Sequence, residues 1–128
     1  MENHKNPLSP HLQIYRWHIS SLLSISHRIV GVVNILLITL ICLWVLYLNL
    51  GENNYEVIEI ILNSYLGKFL TISCCWTFSF HILNEIRHLA WDFGYGFDLK
   101  VARITGLFVF IGSFLLTILF YFIGRNLI

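Results

Sequence analysis

Two stretches of this chain carry no charged residue at all, Ile29 to Leu50 and Ile104 to Ile123. Between them a third apolar run starts near Leu66 and continues to about Leu89, free of Asp, Glu, Lys and Arg only from Phe69 to Asn84. About 20 apolar residues suffice for a helix to cross the hydrocarbon of a bilayer, where a helix satisfies its backbone polar groups internally. The pattern predicts an all-α integral membrane protein with three transmembrane helices, at about residues 25–50, 65–90 and 103–125. Residues 1–20 read as a polar-to-interfacial lead-in to a single membrane domain spanning 1–128, entered in extended form because Pro7 and Pro10 disfavour helix. That lead-in has no apolar core of its own, so it reads as neither a secretory signal nor a good mitochondrial presequence.

The first connection, Gly51 to Ser64, holds Glu52, Glu56 and Glu59 and no base, and reads as a loop. The second, Ala90 to Arg103, contains Gly94 and Gly96, which permit a tight turn. Lys and Arg concentrate on the inner side of a membrane. An N-inside topology puts Lys5, Arg16, Arg28, Arg87, Lys100 and Arg103 inside and only Lys68 and Arg125 outside. Trp17 and Trp91 then fall near the inner interface, where amphipathic rings are common.

Composition narrows the class. Of 128 residues, 57% are hydrophobic and 12% charged, too apolar for a soluble domain that must clothe its surface in polar groups. A net charge of +1 gives no electrostatic case for nucleic acid. Cys42, Cys74 and Cys75 all lie in apolar stretches without zinc-site spacing, and read as small buried packing residues.

The polar residues inside the spans carry the candidate chemistry. Ser24, His27 and Arg28 are spaced i, i+3, i+4 and share a helical face, which suits either a snorkelling interfacial arginine with polar neighbours or a site. His81, Glu85 and His88 form a stripe at i, i+4, i+7, continued by Thr77 and Cys74, while Arg87 lies on another face and is free to snorkel. At 1.5 Å of rise per residue, His81 lies about 10 Å deeper than His88. A histidine that deep faces a helix neighbour, a cavity or a cofactor rather than lipid. No carboxylate–histidine cluster is expected to have the geometry of a catalytic metal site, so haem is the better fit to an imidazole in an apolar bundle. Arg28 and His27 would meet its propionates. His27 and His88, at similar depth, could sandwich a haem within the chain; a partner bringing a second histidine is the alternative.

Three motifs in order, SPHLQIY at residues 9–15, S-x-x-H-R-x-x-G at Ser24 to Gly31 and H-x5-R-H-L-x-W-D-F-G at His81 to Gly94, resemble the cytochrome b-type membrane-anchor subunit of succinate dehydrogenase, respiratory complex II. The resemblance implies half of a heterodimeric helix bundle. A second small haem-binding anchor subunit would share one haem b and a ubiquinone site, with an iron–sulfur subunit and a flavoprotein subunit docked on the inner face. It implies that His81 is an axial ligand of the haem iron and that the partner supplies the other. It further implies that His27 and Arg28 contact the propionates, that Ser24 donates to a quinone carbonyl beside Arg28, and that Asp92 helps build the inner-face region. His88 is left a supporting role. The location implied is the bacterial inner membrane with a cytoplasmic N-terminus, or the mitochondrial inner membrane.

The chain departs from that family at Glu85, where glycine is usual. Glycine there lets backbone approach a flat porphyrin, whereas Glu85 brings bulk and a carboxylate to that side. Glu85 is expected either to swing toward Arg87 or the inner interface, or to displace the haem. Two other readings remain: a small proton or solute transport subunit using the His81, Glu85 and His88 stripe as a relay, or a purely structural anchor.

Overall fold

The computed structural model describes residues 17–51 and 53–127. These form α1 (Ile19–Leu48), α2 (Asn53–Asn63), α3 (Tyr65–Asp92) and α4 (Leu99–Leu127), with no strand among the described residues. Most of the lead-in, including Pro7, Pro10 and SPHLQIY, lies outside the described residues, as do Lys5 and Arg16 of the orientation count. Among the described residues, three helices are long and apolar enough to cross a membrane: Ile19–Leu48, Tyr65–Asp92 and Leu99–Gly124. At its rise per residue α1 is about 45 Å long, so it outreaches a hydrocarbon core of about 30 Å.

The connection from Gly51 to Ser64, expected as a loop, instead contains α2. Its apolar Val57, Ile58, Ile60 and Ile61 alternate with Glu56 and Glu59 on a short amphipathic helix of about three turns. Ser64 is the hinge into α3. Its Oγ accepts from the Gly67 N–H at 3.0 Å, as an N-cap, and donates to the Ile61 carbonyl at 2.6 Å. Gly67 packs so tightly into this corner that a Cβ there would overlap the Ile61 carbonyl oxygen and sit 2.8 Å from Leu62 Cα.

At its other end α3 stops in a Schellman arrangement. Gly94 N–H bonds Trp91 O at 2.8 Å and Tyr95 N–H bonds Ala90 O at 3.0 Å, with Gly94 at φ +85°. This turns the chain back into α4, which packs along α3.

α3 is the central helix, in contact with α1, α2 and α4. The core is small: Leu23 and Val30 from α1, Phe80 from α3 and Val109 from α4, flanked by Ile19 and Leu83. Buried polar residues fill the remaining seams. Ser79, Ser113 and Thr117 each donate to a carbonyl of their own helix, at 2.7 Å in every case, so they act as small spacers that let helices approach closely. Asn34 on α1 reaches the Thr77 carbonyl of α3 at 3.4 Å.

Most apolar side chains face outward, among them Leu36 at 61% and Phe108 at 71% exposure, as suits helices long and apolar enough to cross a membrane. Cys42 is one of them, and Cys74 and Cys75 are only half-buried. The reading of the cysteines as buried packing residues therefore fails within this chain, because three helices enclose too little volume.

Candidate functional site

α1 and α3 bring the two polar motifs together at the end of the bundle where α1 begins and α3 finishes. His27 is stacked between the two histidines of α3. Its ring centroid lies 4.4 Å from that of His81 with planes 17° apart, and 5.1 Å from that of His88 with planes 20° apart. Two helical turns separate His81 from His88, about 10 Å, which leaves room for one imidazole between them. Gly31, one turn along α1, faces His81: a Cβ there would lie 3.3 Å from His81 Cε1. Absence of a side chain at Gly31 thus sets how closely the deep histidine approaches α1.

Rings in face-to-face contact direct their nitrogens sideways, so an iron held between His27 and His88 within the chain would require the two rings to part.

Glu85 turns neither toward Arg87 nor to the interface. Its Oε1 lies 3.1 Å from His27 Nε2 and 3.8 Å from His81 Nε2, with the glutamate side chain 57% exposed. The shorter contact is off the line of a hydrogen bond: His27 Nε2 has no hydrogen-bond partner among the described residues, and neither has His81 Nδ1. The carboxylate and two imidazoles therefore form a cluster of potential metal donors, all within 4.8 Å of one another. The sequence reading expected no such cluster, because His27 lies 54 and 58 positions from its partners and only the crossing of α1 over α3 joins them.

His88 is held differently. Its Nδ1 lies 2.8 Å from the Asn84 carbonyl, which only accepts, so Nδ1 carries the proton. Its ring meets the edge of Trp91 at 5.1 Å. Asn84 itself is fully buried, with neither amide atom hydrogen-bonded among the described residues.

Arg87 does not snorkel. It is 6% exposed, donates from Nε to Thr105 Oγ1 at 3.2 Å and from Nη2 to the Ala102 carbonyl at 2.9 Å, and lies 4.2 Å over the Trp91 ring. Trp91 in turn donates to the Gly96 carbonyl at 3.3 Å. Arg87 and Trp91 thus fasten α3, the turn and α4 together, and Trp91 is more than an interfacial ring. The sequence signal was there: Arg87 follows Phe80 and Asn84 at i+7 and i+3, on the buried face of α3.

Ser24 is half-buried and Arg28 exposed, one turn apart on α1, beside the His27 ring. Asp92 ends α3 and is exposed. Concave spaces also lie away from the His27, His81 and His88 stack. A largely apolar groove of about 260 Å³ between α1 and α2 is lined by Leu37, Trp44, Ile58 and their neighbours. A crevice of about 100 Å³ is lined by His18, Ile19, Ser20, Leu99 and Arg103.

Residues 2–120 match the succinate dehydrogenase/fumarate reductase transmembrane subunit family. The chain belongs to that family. Its relatives include the succinate dehydrogenase cytochrome b556 subunit of Rickettsia felis, 41% identical over 117 residues that cover 91% of each chain. The protein of the same name from Paracoccus denitrificans is 32% identical over 88% of this chain and 87% of its own. The succinate dehydrogenase cytochrome b560 subunit of Reclinomonas americana is 35% identical over 94% of this chain and 88% of its own. Membership in this transmembrane-subunit family and three apolar spans make the chain a multi-pass membrane protein.

Proposed function

We propose that this chain is a membrane-anchor cytochrome b subunit of succinate dehydrogenase. It would hold haem b together with a second small anchor subunit and complete a ubiquinone-reduction site for electrons delivered from succinate by iron–sulfur and flavoprotein subunits. The observation that carries the reading is the placement of His81: half-buried, seated against Gly31, with Nδ1 lacking a hydrogen-bond partner among the described residues and Nε2 turned to the open side at 3.8 Å from Glu85 Oε1. The names of the relatives support the haem, and the exposed apolar faces of all three spans suit a partner anchor.

The donor chemistry fits a haem. His81 offers an imidazole of the type that ligates haem iron. Glu85 stands at the same Nε2 and has to turn aside, which its exposed side chain and position on the open face allow. Arg28, exposed at the head of α1, supplies a cation for a propionate, and His27 supplies a second polar edge once released from Glu85. Bound haem supplies one-electron exchange. The chain's own residues fix its orientation and, at Ser24 and Arg28, present a hydroxyl and a guanidinium to the quinone. Both groups polarise a carbonyl as it gains electrons and protons. The membrane is the bacterial inner membrane, with the N-terminus in the cytoplasm.

The test is succinate-driven ubiquinone reduction by the assembled complex carrying Ser24→Ala. Turnover should fall by about a hundredfold to a thousandfold, the scale of a lost carbonyl-polarising donor. Reduction of a water-soluble acceptor by the flavoprotein and iron–sulfur subunits should be unchanged. Unchanged quinone turnover in Ser24→Ala and Arg28→Ala would support a structural anchor instead. Solute or proton flux across sealed vesicles, abolished by Glu85→Ala, would support transport. The unbroken course of α1, α3 and α4 argues against that, since transport sites are commonly built on interrupted helices.

A further inference from the structure

We propose that His27 Nε2, His81 Nε2 and Glu85 Oε1 form a binding site for a divalent transition-metal ion, of the zinc and cobalt class, in the haem-free chain. The donor distances carry this. Bonds of about 2.0–2.2 Å from zinc to imidazole and carboxylate place two donors of a tetrahedral shell about 3.4 Å apart. The observed separations from Glu85 Oε1, 3.1 Å to His27 Nε2 and 3.8 Å to His81 Nε2, straddle that value. Two imidazoles and one carboxylate are a donor set that zinc accepts with a fourth position left open. Here the open position faces outward, because the Glu85 side chain is 57% exposed.

The scaffold suits a chelate. His81 and Glu85 are spaced i, i+4 on α3, the separation at which two side chains of one helix converge on an ion. His27 comes from α1, so the ion would staple the two helices. Parallel stacked rings aim their nitrogen lone pairs side by side, so ligation requires one imidazole to tilt out of the 17° stack. His88 takes no part, because its Nδ1–H is committed to the Asn84 carbonyl and its ring lies on the opposite side of His27 from His81.

One consequence rests on the haem reading above. His81 Nε2 cannot bond a divalent ion and a haem iron together, so the two ligands exclude each other. The free subunit would carry its metal until haem and partner arrive.

The experiment uses the full chain, purified without haem in detergent and titrated with Co(II). One equivalent should produce the intense visible bands of four-coordinate cobalt, and Zn(II) should abolish them. Glu85→Gln and His27→Ala should each weaken binding by about tenfold or more, a loss that even outer-shell changes reach. Glu59→Gln, a remote carboxylate on α2, should leave it unchanged. No cobalt band in the unmodified chain overturns the proposal without reference to any variant, as does full binding by Glu85→Gln. Haemin added to the cobalt-loaded chain together with the second anchor subunit should release the metal one for one. Haem bound through His81 with no cobalt binding would sink this inference and leave the haem reading standing. Cobalt bound through Glu85, with haem bound in His81→Ala, would do the reverse.

Discussion

The imidazole of His27 on α1 lies flat on that of His81 on α3, centroids 4.4 Å apart, and Gly31 is what lets the deeper ring come so close. A Cβ at Gly31 would meet His81 Cε1 at 3.3 Å, so alanine requires a shift of only a few tenths of an ångström. Valine adds two methyls to the same contact. Gly31→Val should destabilise the chain by about 1–3 kcal/mol, the cost of overpacking, and Gly31→Ala by clearly less. Thermal unfolding in detergent, followed by helix circular dichroism, measures both. Equal melting of Gly31→Val and the parent would mean that His81 is not seated against α1.

Arg87 should resist replacement by lysine. Its fork reaches Thr105 and Ala102 together while the guanidinium plane covers Trp91, and an ammonium offers neither that geometry nor the stacking. Arg87→Lys should cost about 2 kcal/mol although the charge is kept, in line with a lost charged hydrogen bond. A parental melting temperature for Arg87→Lys would show that charge alone holds α4 to α3.

Gly67→Ala should be the most damaging small substitution at the α2–α3 corner. The new methyl would meet backbone, the Ile61 carbonyl and Leu62 Cα, which cannot rotate away as a side chain would. A loss of about 3 kcal/mol or more is expected, since overpacking against fixed backbone lies at the upper end of such costs. Chemical or thermal unfolding of Gly67→Ala beside Gly124→Ala, where a Cβ meets nothing within 4 Å, isolates the effect.

Much of this architecture was legible in the chain, because membrane spans announce themselves by length and charge. The three long helices follow from uncharged runs, and the turn after α3 follows from Gly94 and Gly96, which adopt φ of +85° and +84°. α2 was not legible: its eleven residues carry Glu56 and Glu59 among isoleucines, and so short a helix owes its existence to the Ser64–Gly67 corner and to packing on α1 and α3. At the site, the i, i+4, i+7 stripe correctly places His81, Glu85 and His88 on one face. Spacing along one helix says nothing of the crossing partner, so it missed that His27 enters between the two histidines and draws Glu85 away from Arg87.

Orientation gives a fourth prediction. Among the described residues, Arg28, Lys100 and Arg103 mark one side and Lys68 the other, while buried Arg87 no longer counts as an interfacial charge. A cysteine replacing Asp98 in the α3–α4 turn should be labelled by a membrane-impermeant maleimide only from the cytoplasmic side, and one replacing Glu56 on α2 only from the opposite side. Reversed labelling would invert the topology.

The central claim, that His81 holds haem iron, is tested most directly by the dithionite-reduced minus oxidised visible spectrum of the intact complex. The account predicts a sharp b-type band in the parent that disappears in His81→Ala while the complex still assembles. A band of undiminished intensity in His81→Ala, or no band in a quinone-active parent complex, would contradict it.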